Sequence, residues 1–285
     1  MKVKEVMKTE FARASVPGTR DTVLEIMSKF DKTSIPLVKG DTEELVGIVS
    51  RLDLMRKPDE DQLALLMDRD PPVVAQTDDL EAAVRILLDR GIRRLPVVDS
   101  KRRLKGMITV HQIIRKVVSD QFPDELISPF VEKQITTVWE KTPLKAAYTI
   151  MRLAGTDVLP VISEKGDLVG IISVSDIMNL SKIVRERRST SVSAASEGAD
   201  WSWDATTVLY ITTNELQLPD KPVSEVMVGK IVTTYEQETI GEAIKSMRRN
   251  DIDQLPVTNA SGELCGIVRD KNLMRILLSS KQKPA

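Results

Sequence analysis

Two short phrases in this 285-residue chain carry the residues best suited to chemistry. Ser50-Arg51-Leu52-Asp53 follows Gly47-Ile48-Val49, and Ser173-Val174-Ser175-Asp176 follows Gly170-Ile171-Ile172. In each, an aliphatic run of strand character gives way to a helix start, where free N–H groups and the positive dipole end favour an anion. The aspartate, three residues after the serine, could accept hydrogen bonds from a ribose diol, while the serine or nearby amides hold phosphate. The same spacing also describes a capping box, in which the aspartate caps its own helix. Two further copies lack the acid: Thr109-Val110-His111-Gln112 and Arg269-Asp270-Lys271-Asn272. Gln112 and Asn272 can bond a hydroxyl but lack the charge that strengthens a carboxylate's bond. Thr109 with Gln112 remains a capping box and Asp270 could cap, so these two positions read as structural or weak.

The elements that position these residues form a repeat. Ile35-Pro36-Leu37-Val38, Leu95-Pro96-Val97-Val98, Leu159-Pro160-Val161-Ile162 and Leu255-Pro256-Val257-Thr258 each precede one of the glycine-led strands. Polar turns such as Glu164-Lys165-Gly166-Asp167 between them predict antiparallel hairpins. Before each proline strand, apolar residues at helical spacing predict an amphipathic helix. These are Val23, Ile26, Met27, Phe30; Leu80, Ala83, Val84, Leu87; Leu144, Ala147, Tyr148, Met151; and Ile240, Ala243, Ile244, Met247. Thr22 with Glu25 and Thr239 with Glu242 read as capping boxes, and Thr142-Pro143 as an N-cap with proline at the first helical position. Short β-prone stretches precede the helices at 11–16, 73–74, 135–138 and 231–234. Second helices are expected over 52–55, 112–118, 177–184 and 272–278. The unit is β-α-β-β-α in roughly 60 residues, too small to be comfortable alone, so copies should pack in pairs.

The last repeat interval is longer, and the excess maps to 185–218. It opens on Arg185-Glu186-Arg187-Arg188, read as a solvated helix end, and a Ser-rich stretch over 189–196, read as a mobile loop. Trp201, Trp203 and Tyr210 are expected to pack on the body. Boundaries are set at 1–58, 59–120, 121–184, an insert over 185–218, and 219–285. Lys plus Arg is 41 against 42 for Asp plus Glu, so no global charge draws the chain to nucleic acid or membrane. One cysteine, Cys265, and one histidine, His111, starve the usual metal and triad chemistries. Cys265 reads as an inert thiol and His111 as a surface histidine. Met7, Met55, Met178, Met227 and Met274 read as core or interface filler. A cytoplasmic, non-enzymatic protein is expected.

The four units resemble cystathionine-β-synthase (CBS) domains over nearly the whole chain, in order and in spacing. The resemblance implies an α/β fold of four units paired into two Bateman modules in a pseudo-dimeric disc. It makes the Ser/Thr-x-x-Asp segment the nucleotide-contacting motif. It also implies that each ribose acid is faced by the residues preceding proline in its partner repeat. Asp53 would then meet Arg93, Arg94 and Leu95, with Val74 flanking the adenine. Asp176 would meet Asp251, Asp253, Gln254 and Leu255, with Thr233 on the flanking strand. The arginine-faced site suits AMP, ADP or ATP, and the acid-faced site suits S-adenosylmethionine or an adenosine thioether. The implied function is a regulatory adenine-nucleotide (energy) sensor that signals to an unidentified protein target, with homodimerisation left open. A scaffold with vestigial ligand sites is the alternative.

Overall fold

The computed structural model describes residues 1–285 apart from 31, 58–59, 181, 194–205 and 280–285. One local α/β pattern recurs through it. In the first repeat Ala14–Val16 runs parallel to Ser34–Lys39, which pairs antiparallel with Glu44–Ser50. The helix Arg20–Lys29 makes the crossover. The second repeat uses Val74–Ala75, the helix Leu80–Asp89, Arg94–Val98 and Leu104–Thr109. The third uses Val138–Trp139, the helix Leu144–Ala154, Val158–Ile162 and Leu168–Ser173. The fourth keeps the helix Ile240–Asn250 and the hairpin Gln254–Thr258 with Leu264–Arg269. Its first strand shrinks to one parallel bridge, Thr234 to Val257.

A proline in a middle strand ordinarily breaks a ladder. Here the parallel neighbour starts one residue after it, at Leu37, Val97, Val161 and Val257, so the missing N–H interrupts nothing on that side. The helix faces expected from spacing are buried at Leu80, Ala83, Val84 and Leu87 and at Ile240, Ala243, Ile244 and Met247. Phe30 departs from its expected face, because it lies past the last helical residue, as the C-cap, and is exposed.

The helix starts differ from expectation. Thr19, not Thr22, caps the first helix by accepting from the Thr22 N–H, because the chain turns helical three residues earlier. Pro143, not Thr142, is the N-cap, and the Thr142 carbonyl accepts from the Val223 N–H instead. Thr239 does cap Glu242, whose own side chain bonds Lys245 rather than returning to the cap.

Each repeat also sends its leading segment to another repeat. Val3 and Lys4 donate to the Asp78 and Gln76 carbonyls, and Leu63 donates to Gly18. Ile127 donates to Glu238, and Val223 to Thr142. The segments then bridge the glycine-led strands, Lys8 on Met107, Asp68 on Ile48, Glu132 on Ile267 and Val228 on Ile171. This approach explains two of the glycines. A Cβ on Gly47 would lie 2.6 Å from the Asp68 carbonyl oxygen, and one on Gly106 2.7 Å from that of Lys8.

The chain forms two compact units, 1–135 with 232–285, and 136–231. In the first unit, the second and fourth repeats share a continuous apolar core that includes Leu87, Leu95, Val118, Ile244, Leu255 and Leu277. Separate cores lie within the first repeat, around Val23, Met27 and Leu37, and where the first two hairpins meet, at Val38, Leu45, Val98 and Leu104. The second unit is centred on Leu144, Met151, Leu159, Ile172 and Val223.

The insert corrects two expectations. Lys182–Ser193 and Thr206–Gln217 form an antiparallel pair, so Arg185 to Arg188 lie on a strand and Ser189 to Ser193 are not loop. β-branched Thr190 and Val192, opposite a Thr/Val/Ile-rich partner, favour the ladder over a loop. The helix expected over 177–184 accordingly runs Val174–Leu180. Trp201, Trp203 and the rest of 194–205 lie outside the described residues.

Candidate functional site

At each helix start the strand of the same repeat that carries proline lies alongside. The antiparallel registers pair Ser34 with Ser50, Arg94 with Thr109, Val158 with Ser173 and Gln254 with Arg269. The first helical N–H donates to the preceding segment: Arg51 to the Thr33 carbonyl, Val110 to Arg93, Val174 to Asp157 and Asp270 to Asp253. The pre-proline residues are therefore pinned beside the helix start of their own repeat. The same residues can also reach a partner repeat, as Arg93 of the second repeat does with Asp270 at the helix start of the fourth.

Ser50 and Asp53 form a full capping box. The Ser50 N–H donates to Asp53 Oδ2 at 2.9 Å and the hydroxyl at 2.5 Å, while the Asp53 N–H returns to Ser50 Oγ at 3.2 Å. Ser173 and Asp176 repeat the arrangement at 2.8, 2.6 and 3.2 Å. In both, one carboxylate oxygen does all the capping. The other, Oδ1, makes no hydrogen bond to the described residues. Capping and ligand contact are thus compatible in one side chain, with a half-buried acceptor left over.

The other two helix starts are buried and bonded internally through one end of each amide, with Gln112 Nε2 and Asn272 Oδ1 lacking a partner among the described residues. Thr109 Oγ1 donates to Gln112 Oε1 at 3.0 Å and accepts from its N–H at 3.2 Å. Gln112 is buried, and its Nε2 has no partner among the described residues. In the fourth repeat Asn272 donates to Glu132 Oε1 at 2.9 Å, and Arg269 pairs with the other Glu132 oxygen. Glu132 comes from the leading segment that bridges Ile267, so a residue over a hundred positions upstream fills this position. Sequence spacing gave no hint of Glu132. The signal was the exchange of leading segments, which needs the tertiary contact.

Arg93 is directed elsewhere than expected. Its guanidinium grips Asp270 through both nitrogens at 3.1 and 2.6 Å and reaches Asp253 at 3.2 Å. Asp253 is therefore committed to an arginine of the second repeat. Burial pushes the Asp270 carboxyl above its usual range, and Asp253 adds to that, while the Arg93 bonds pull it back. Val74 begins a two-residue strand, and Leu95 and Leu255 are core residues of the first unit. Asp176 belongs to the second unit, and Thr233, Gln254 and Leu255 to the first.

His111 is exposed, with Nε2 3.3 Å from Arg115. Partial burial lowers its pKa, and Arg115, Lys8 and Arg93 lower it further against an opposing Asp251. The Cys265 thiol donates to the Val257 carbonyl at 3.3 Å, and burial pushes its pKa up, away from nucleophilic character. Met7 and Met227 pack on core as expected, and Met274 lies within it, whereas the side chains of Met55 and Met178 lie outside the description. Among the described residues, no group of three His, Cys, Asp or Glu could hold a metal ion. None of the described helices is long and apolar enough to cross a membrane.

Comparison with known proteins agrees with this architecture. A solved, uncharacterized conserved protein from Pyrococcus horikoshii is 30% identical, with TM-score 0.69, covering 97% of this chain and all of that one. Protein MJ1225 of Methanocaldococcus jannaschii is 22% identical over 261 residues, 85% of this chain and 86% of its own. Its structure, described as that of a candidate archaeal homolog of g-AMPK, superposes with TM-score 0.71 over 97% of this chain and all of that one. CBSX2, solved with AMP, matches 42% of this chain and 98% of its own at 28% identity, with TM-score 0.39, and its ligand is a fact about that protein. The CBS domain model matches residues 3–60, 62–119, 127–182 and 223–279, and the chain belongs to the CBS-domain family.

Proposed function

We propose that this chain is a non-catalytic regulatory protein that binds adenine nucleotide or a related adenosyl compound and passes the bound state to a partner protein. The observation that carries the reading is the unused Oδ1 of Asp53 and Asp176, set beside N–H-rich helix starts, while Gln112 and Asn272 are tied into internal bonds. Two of four positions therefore retain a half-buried carboxylate acceptor for ribose hydroxyls, whereas the spare Asn272 Oδ1 is buried. Ser50 and Ser173 and the adjoining amides hold phosphate in this reading. Val74, Arg93, Arg94, Leu95, Thr233, Gln254 and Leu255 are assigned to the ligand's surroundings. Thr109, Gln112 and Asn272 are weaker positions. Arg93 reaches a phosphate only by releasing Asp270 or Asp253, so a charged ligand would trade one ion pair for another. That exchange gives the ligand a differential effect on two arrangements, which a regulatory output requires.

The test is calorimetry and thermal shift with AMP, ADP, ATP, S-adenosylmethionine and 5′-methylthioadenosine. A ligand at about a hundredfold its Kd stabilises the folded state by about 2.7 kcal/mol. Asp53→Asn and Asp176→Asn should each remove one site and leave the other. Because asparagine keeps a capping oxygen, stability without ligand should change by less than about 1 kcal/mol. A flat response across the panel would favour the scaffold reading, in which both aspartates only cap. A response confined to the thioether and S-adenosylmethionine would replace energy sensing with metabolite sensing.

A further inference from the structure

A cleft in the first unit is lined by none of the Ser-x-x-Asp residues. Arg115 and Ser119 of the second repeat line one wall, and Gly241, Ile244, Lys245 and Arg248 of the fourth line the other. Three cations converge on it from two repeats. Lys245 has a carboxylate neighbour, Glu242 at 3.1 Å. Arg115 has only the imidazole of His111, and Arg248 has no ion pair among the described residues. The basic last turn of Ile240–Asn250 accounts for Arg248 as a complement to the helix dipole. It does not account for Arg115, which arrives from the other repeat.

Two backbone features shape this cleft. Ile114–Val118 is a single π-helical turn inside the helix that follows Thr109, and it carries Arg115. Such turns recur at functional sites because they widen the helix and redirect side chains. Gly241 contributes no side chain, and a Cβ there would meet the Pro123 carbonyl oxygen at 2.9 Å. The floor is Ile244, which is buried.

We infer that this cleft is a binding site for a small phosphate polyanion, distinct from the two Ser-x-x-Asp positions. Its charge sets the ligand class. The cavity is about 180 Å3, below the roughly 300–1,000 Å3 that takes a drug-sized molecule. Pyrophosphate, or the terminal phosphates of a larger molecule, matches three cations lining one small open cleft. Two guanidinium groups offer paired N–H donors to phosphate oxygens, Lys245 adds a point charge, and the Ser119 hydroxyl can donate.

His111 provides a reporter, since it is the only histidine in the chain and contacts Arg115. The charged groups acting on it are Arg115, Lys8 and Arg93, opposed by Asp251. An anion beside Arg115 offsets that positive field, so its binding should raise the imidazole pKa. The experiment follows the single imidazole C2–H by proton NMR during titration with sodium pyrophosphate at constant ionic strength, in the Asp53→Asn/Asp176→Asn double variant. A saturable upward move of the His111 midpoint is expected. Arg248→Ala should weaken pyrophosphate binding about tenfold, and Arg248→Lys should restore part of it. Because Arg248 is exposed, both variants should fold, as circular dichroism would verify. An unsaturable response equal to that of chloride would mean screening alone and would overturn the site. Unchanged binding in Arg248→Ala would overturn it too. ATP and pyrophosphate separate the sources: if the polyanion is the tail of a nucleotide, ATP should compete with pyrophosphate in the double variant, and if it is free, adenosine and ATP should leave it in place. Loss of adenine binding at Asp53 and Asp176 would leave these outcomes untouched.

Discussion

At the scale of single residues, the most consequential contact is Arg93 with Asp270. Asp270 is almost wholly buried while Arg93 is half-exposed, so the pair is asymmetric in what its loss would cost. Removing Asp270 leaves an arginine that still has Asp253 and water. Removing Arg93 leaves a buried carboxylate with no cation. Arg93→Ala should therefore destabilise by about 2 kcal/mol, below the roughly 3–5 kcal/mol of a fully buried pair because Arg93 is half-exposed, and Asp270→Asn by clearly less. Urea unfolding of both single variants and the double variant would measure the coupling. The raised pKa of Asp270 adds a pH signature. The folded state holds that proton more tightly than the unfolded chain, so this group's contribution declines as pH rises from 3.8 toward the folded midpoint. Asp270→Asn should flatten stability over that window. A slope unchanged by the substitution would show that another group causes it.

At the scale of elements, the leading segments explain why each second hairpin strand carries a glycine. The obstacle differs between copies. At Gly47 and Gly106 a Cβ would strike backbone carbonyl oxygens, whereas at Gly170 it meets the flexible end and stem of Met227. Gly47→Ala should cost about 1–3 kcal/mol, as overpacking against a fixed wall does, and Gly170→Ala noticeably less. Equal losses in thermal unfolding would refute the distinction. This also marks where the sequence could be read and where it could not. The strand-helix-hairpin unit was legible because its apolar periods and turns are local, as at Leu80 to Leu87 and Gly166. The capping oxygens of Asp53 and Asp176 were legible as one of two open readings. Glu132 beside Asn272, and Arg93 on Asp270, were not, since each joins residues far apart in the chain through an exchange that leaves no local pattern. Thr190 and Val192 were read by composition as loop, although their β-branching pointed to the strand they form.

At the scale of the whole molecule, the second and fourth repeats behave as one body, because their helices share an apolar core. Leu95→Ala, at a fully buried position of that core, should cost about 2–5 kcal/mol. Amide exchange should then accelerate in the fourth-repeat hairpin as well as in the second. The first repeat's separate core around Val23 and Met27 should be spared. Acceleration confined to the second repeat would contradict a shared core. The exchanged leading segments carry a different consequence, one for modularity. An arm such as Val3–Val6 has its landing place on another repeat, so one repeat is not a self-sufficient part. A gene encoding a single copy would yield a protein whose arm can close only on a second molecule, making an arm-swapped dimer. The smallest self-contained module of this chain is accordingly a pair of repeats, each closing on the other's arm.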